Sequence, residues 1–133
     1  MDAEEILSRV SQARRLPPLV AELRDADPHT VFQALFSYAI RAQGIGHGPV
    51  AMSAYTLHAL NPPCPLPVDD AVARLLGDWD ISIEEVPWYL VKQFGREEVL
   101  ASVERLRAVH TDARAVARLR TIEYWVTAAP AGA

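Results

Sequence analysis

The chain has 133 residues, a mass of 14.7 kDa and a formal charge of −4, the size of one ordinary domain, so two independent cores are not expected. Half of its residues are hydrophobic and 23% are charged, which excludes disorder as its main business. The acidic balance argues against recruitment to nucleic acid or to an anionic membrane. Its one cysteine, Cys64, excludes an internal disulfide and fits a reducing compartment. The opening Met1-Asp2-Ala3-Glu4-Glu5 is acidic where a secretory leader is basic, so no leader is expected. Between Asp27 and Asp69 the only charged side chain is Arg41. Gly44-Ile45-Gly46-His47-Gly48-Pro49 splits that stretch into pieces shorter than the roughly 20 apolar residues a bilayer requires. No membrane span is expected, and the cytoplasm is the expected location. Lys92 is the only lysine beside twelve arginines and abundant alanine, a composition that suggests a GC-rich bacterial genome.

Helical periodicity recurs from end to end, and no segment of any length alternates as a half-buried strand does, so the fold is expected to be all-α. Ile6, Leu7 and Val10 mark a first helix that ends near Leu16-Pro17-Pro18, because proline disfavours helical geometry in the residue before it. A short helix runs from Pro17 or Pro18 to about Ala26. Asp27-Pro28 reads as the cap and first turn of a third, through Val31, Leu35, Tyr38 and Ala39 to Gly44. Pro49 begins a fourth that reaches Asn61. Four prolines between 62 and 67 remove donors and form a stiff spacer. Further helices are expected at 68–76, 82–94, 96–109 and 111–128. Ser82 with Glu85 makes a capping box, Gly95 is a stop, and Thr111-Asp112 caps the last helix. Residues 129–133 are expected to form a disordered tail.

Self-similarity organises these helices. Val20-Ala21-Glu22-Leu23, Val72-Ala73-Arg74-Leu75 and Val116-Ala117-Arg118-Leu119 share one pattern, and Tyr38-Ala39-Ile40-Arg41 stands against Tyr89-Leu90-Val91-Lys92, with Gly44 against Gly95. The order reads as helix, repeat, proline spacer, repeat, truncated unit. The run from Leu16-Pro17-Pro18-Leu19 through Asp25-Ala26-Asp27-Pro28 and Val31 to Ala34-Leu35 and Gly44 resembles a HEAT repeat, with its proline, its Asp-x-Asp-Pro turn and its valine and alanine-leucine positions. The resemblance covers residues 16–44 and, in degenerate form, 68–95, where Asp78-Trp79-Asp80-Ile81-Ser82 stands at the turn without a proline. It implies a short α-solenoid-like stack of helical hairpins, about seven or eight helices of HEAT or armadillo type, presenting a surface to a macromolecule.

Candidate chemistry is sparse. His47, His58, Cys64 and Asp69 stand at none of the spacings that a metal site or an activated nucleophile requires, so no metal, cofactor or catalytic residue is expected. Asp69 and Asp70 suit the positive end of a helix dipole. The glycines of residues 44–48 lack the lysine and hydroxyl of a phosphate loop and follow a helix, which makes them an inter-helix turn. A small-molecule enzyme built on His47, His58 and Asp69 is the weakest reading.

The aromatic residues are the most suggestive. Val31, Leu35 and Ala39 form one apolar stripe, while Phe32, Phe36 and Ile40 form a second beside it, so this helix is either buried from several sides or presents apolar surface. Pro87, inside a helix starting at Ser82, should kink it and turn Trp88 and Tyr89 toward a partner. A protein-docking surface of Phe32, Phe36, Tyr38, Trp88, Tyr89 and Lys92 is expected, with Glu84 and Glu85 steering a basic partner. Residues 61–100 carry eight acids against three bases. Such a module is expected to act as an adaptor, an inhibitor or an immunity-type partner. The alternative is nucleic-acid binding through Arg114, Arg118, Arg120 and Trp125 on the last helix. Self-association through the neutral residues 28–68 is compatible with each reading.

Overall fold

The computed structural model describes residues 1–41 and 47–131 and, of His47, the backbone alone. Among the described residues there are eight helices and no strand: α1 (Ala3–Gln12), α2 (Leu16–Leu23), α3 (Pro28–Ala39), α4 (His47–Leu60), α5 (Val68–Arg74), α6 (Glu85–Phe94), α7 (Arg96–Val109) and α8 (Ala113–Thr127). The all-α expectation therefore holds. No described helix is long and apolar enough to cross a membrane.

Local chemistry sets the helix starts. Asp2, Asp27 and Asp112 each accept an amide N–H three residues on, from Glu5 at 2.8 Å, Thr30 at 3.0 Å and Ala115 at 3.0 Å, which satisfies donors a helix N-terminus leaves unpaired. The expected capping box at Ser82 does not form. The Ser82 amide and hydroxyl both donate to the Asp80 carboxylate, at 3.0 and 2.8 Å, a local turn that competes with helix. Helix α6 consequently starts three residues later, at Glu85. Pro87 then falls in the first turn and makes no kink there. The carbonyl that a residue-87 amide would have used, that of Ile83, accepts the Trp79 indole N–H at 3.1 Å instead.

Two helices are central. Helix α4 packs against α1, α2, α3 and α6, and α6 packs against α4, α5, α7 and α8. Crowding by neighbours explains the double apolar stripe of α3, on which Val31, Phe32, Ala34, Leu35, Phe36 and Ala39 are all buried. It also accounts for part of the nearly uncharged stretch 28–68, where Val50, Ala54 and Leu57 are sealed inside the chain.

The packing has a twofold repetition. Helix α1 contacts α2 and α3, α2 contacts α4, and α3 pairs with α4; the same relations join α5 to α6 and α7, α6 to α8, and α7 to α8. Acids open α1 and α5, at Glu4-Glu5 and Asp69-Asp70, and Arg9 and Arg74 close them. Buried Val50, Ala54 and Leu57 on α4 share their spacing with buried Ala115, Leu119 and Ile122 on α8. Thr56 and Thr121, also in register, each donate to the carbonyl one turn back, at 2.6 and 3.0 Å. The correspondence runs α1–α4 onto α5–α8, apart from the α1–α4 contact, which has no match of like extent between α5 and α8. The expected one matched α2 with α5, one helix out of step.

Two expectations about irregular segments change. Residues 62–66 are strapped to α6: the buried Tyr89 hydroxyl donates to the Pro62 carbonyl at 2.7 Å, and the Cys64 amide to the Gln93 side chain at 2.9 Å. Ala129, assigned to a disordered tail, is buried, and its carbonyl accepts from Arg96 at 2.7 Å. Gly95 joins α6 to α7 at φ 89° and ψ 152°, a region that only glycine adopts without strain. An added Cβ would meet nothing within 4 Å there, so the cost of Gly95→Ala is conformational alone. The variant should lose about 1–3 kcal/mol, read as a lower urea midpoint at unchanged slope; an unchanged midpoint would contradict the strain.

Candidate functional site

Helices α4 and α6 run side by side in the same direction. Rising along both, Tyr55 lies within the field of Glu84 and Glu85, the His58 ring lies 6.2 Å from that of Trp88, Lys92 donates to the His58 carbonyl at 2.9 Å, and Gln93 donates to the Asn61 side chain at 2.6 Å. Lys92 thereby meets one of the carbonyls that the end of α4 leaves without an intrahelical donor.

Helix α6 treats α8 in the same manner. The Trp88 indole donates to the Trp125 carbonyl, in the last turn of α8, at 3.0 Å, and the Trp125 indole donates to the Ile81 carbonyl at 2.8 Å. The Trp88 and Trp125 rings meet edge-on at 6.4 Å, and Tyr124 meets Trp125 edge-on at 5.1 Å. The result is an aromatic ridge, His58–Trp88–Trp125–Tyr124, crossing α4, α6 and α8. Its outer end is open: Tyr124 is 64% exposed and Ile81 46%. Glu84 and Glu85 stand toward its inner end and form no ion pair among the described residues. Burial, with Glu84 beside it, pushes the Glu85 carboxyl above its ordinary value.

Much of the expected docking surface lies elsewhere. Phe32, Phe36 and Tyr89 are 3%, 1% and 0% exposed and pack on one another, with ring centroids 5.0 to 6.5 Å apart. They are core residues because α3 and α6 are each covered from several sides. Burial pushes the Tyr89 phenol far above its ordinary value. Tyr38 is half-buried on α3, with the Arg41 guanidinium 5.0 Å above its ring. Trp88, Glu84, Glu85 and Lys92 do share the α4–α6 surface, although the polar atoms of Trp88 and Lys92 are spent on helix ends. Trp125, assigned to the nucleic-acid alternative, belongs to the ridge. So do Ile81 and Tyr124, which sequence reasoning missed, as it did the exposed Tyr55 beside Glu84 and Glu85; Tyr124 beside Trp125 was the available signal.

The basic stripe of α8 is largely committed inward. Arg114 donates to the Gly77 carbonyl at 2.6 Å and approaches Asp78 at 3.4 Å, while Arg118 donates to the Trp79 carbonyl at 3.2 Å. Burial, helped by Arg114, lowers the Arg118 pKa. Both guanidiniums close the turn between α5 and α6, and of the three arginines only Arg120 is exposed with no partner among the described residues. The fork geometry that fits phosphate also fits backbone carbonyls.

No family model matches the chain, nor does any curated protein or solved structure. Function must therefore be argued from the geometry. Asp69, in the enzyme reading, accepts from Ser102 at 2.6 Å and from Arg105 at 2.8 Å, and these bonds hold its carboxyl below the usual range. They tie α5 to α7. His58 instead packs on Trp88, and His47's side chain lies outside the described residues. Among the described residues no three His, Cys, Asp or Glu side chains converge on a metal position. Burial raises the Cys64 thiol pKa, the opposite of nucleophile activation.

His58 gives the ridge a pH dependence. Its Nε2 is buried with no hydrogen-bond partner among the described residues, and burial, then the charge of Lys92, lowers its pKa. A depressed histidine pKa means that the unfolded chain binds the proton more readily. Stability from this site is complete above the unfolded value and is lost as pH falls through the folded one. The melting temperature should drop between pH 7.5 and 5.5, and His58→Gln should flatten that limb; an equal drop in the variant would remove His58 as the cause.

Proposed function

We propose that this chain is a small helical module, stacked in the manner of α-solenoid repeats, that docks another protein on the ridge of Ile81, Trp88, Tyr124 and Trp125. The observation that carries the reading is the exposure of Tyr124 and Ile81 around the half-buried Trp125. Two large apolar side chains are left in water beside an aromatic pair whose orientation is already fixed by indole hydrogen bonds. Aromatic side chains held rigid lose little entropy on binding and dominate interface energetics. Glu84 and Glu85 favour a basic partner, because partly desolvated carboxylates without a cation gain most from one supplied across an interface. The role is that of an adaptor, inhibitor or immunity-type partner in the bacterial cytoplasm. Nucleic acid is the weaker reading, since Arg114 and Arg118 already hold the α5–α6 turn.

A photo-crosslinking residue at position 124, with position 33 on α3 as the control, tests this in cells of the protein's own source. A discrete adduct from 124 alone identifies the partner. Purified, that partner should bind the Ile81→Ser, Tyr124→Ser variant at least tenfold more weakly, about 1.4 kcal/mol, at unchanged melting temperature. The same adducts from both positions, none from 124, or unaltered affinity in the double variant would each refute the ridge.

A further inference from the structure

The twofold repetition allows the two halves to be compared turn for turn. In the second half the turn between α5 and α6 is acidic, with Asp78 and Asp80, and it is closed from above by arginines of α8. The equivalent turn of the first half, between α1 and α2, has the opposite charge. Arg14 and Arg15 are exposed on it, with no hydrogen bond or ion pair among the described residues. In register with Arg114 and Arg118, helix α4 carries Pro49 and Ser53, neither of them a cation or an acid, and Ser53 is fully buried with no partner for its hydroxyl among the described residues. One junction is sealed by complementary charge from within the chain, and the other lacks that complement.

The open junction is a crevice of about 670 Å³ between α1 and α2, within the size range of ligand sites. Arg9, Arg14 and Arg15 line it; Arg9 is held by Glu22 at 3.0 Å, which fixes one wall and leaves Arg14 and Arg15 to act outward. Ser8 and Gln12 add polar groups from α1, and Pro18 and Leu19 supply an apolar base. We propose that this crevice binds an acidic peptide segment of a partner protein, its carboxylates on Arg14 and Arg15 and an apolar side chain on Pro18 and Leu19. Paired guanidiniums suit carboxylates because each presents a planar donor fork. Glu5 and Glu22 on the same walls disfavour a dense polyphosphate, which would bring further charge against them, whereas a peptide can alternate its carboxylates with neutral side chains. The crevice is formed by α1 and α2 and the ridge by residues of α4, α6 and α8, so this site stands or falls separately from the ridge.

Fluorescence anisotropy of a rhodamine-labelled Glu-Leu-Glu-Ala-Glu peptide, whose carboxylates alternate with neutral side chains, tests it directly. Saturable binding to the intact chain is expected, weakened at least tenfold by Arg14→Glu, Arg15→Glu. The control Arg74→Glu, Arg120→Glu changes the net charge equally at exposed, unpaired arginines elsewhere, and should bind as wild type. Circular dichroism of each variant should match the parent, since none of these four side chains holds the fold. Absence of saturation, equal loss in the control pair, or displacement of the peptide by equimolar tripolyphosphate would overturn the proposal, the last by making the crevice a general anion site.

Discussion

The structure depends on side chains of α6 satisfying the exposed ends of its neighbours. A helix leaves its final carbonyls without donors, and burying them unpaired costs about 1–3 kcal/mol each. Trp88 donates into the last turn of α8, Lys92 into the last turn of α4, Gln93 to Asn61, and Tyr89 to the Pro62 carbonyl just beyond α4. One ten-residue helix thus fastens the closing turn of each half. That constraint explains why a segment so rich in aromatic and polar residues is mostly interior. Its polar atoms face helix ends, and its rings fill the space between.

The same constraint shapes the surface. Because Trp88 and Trp125 are each anchored through their indole N–H, their rings have a fixed orientation, and Tyr124 packs edge-on against the anchored Trp125 at the open end of the row. The repeated arrangement of four helices gives the molecule two similar junctions with opposite treatment. The α5–α6 turn is closed by arginines of α8, and the α1–α2 turn leaves its arginines outward.

How much of this could be read from residues alone varied with the range of the interaction. Helix α7 was legible to its ends, because Gly95 starts it and periodic apolar positions run to Val109. Asp27 was legible as a cap because its partner, Thr30, is three residues away. The start of α6 was not, since Ser82-x-x-Glu85 satisfies the capping pattern while Asp80 sits two residues upstream and takes the same hydroxyl; its end was, at Gly95. The fate of Phe32 and Phe36 was undecidable locally: a doubly striped helix reads identically whether neighbours or a partner cover it, and only the number of packed helices decides. Arginine stripes share that ambiguity, as phosphate oxygens and backbone carbonyls attract the same fork. The internal correspondence was visible but slipped by one helix. Val-Ala-x-Leu recurs on any alanine-rich amphipathic helix, whereas the matched threonine bonds of α4 and α8 emerge only in three dimensions.

Hydrogen–deuterium exchange of Tyr89→Phe measures the central constraint most directly, because the ring and its packing on Phe32 and Phe36 are kept while the donor to the Pro62 carbonyl is removed. If α6 holds the ends of its neighbours, amides in the last turn of α4 should exchange at least tenfold faster, with α1 and the first turns of α3 near their parental rates. Parental protection at the end of α4, or a uniform loss across all helices, would contradict the account.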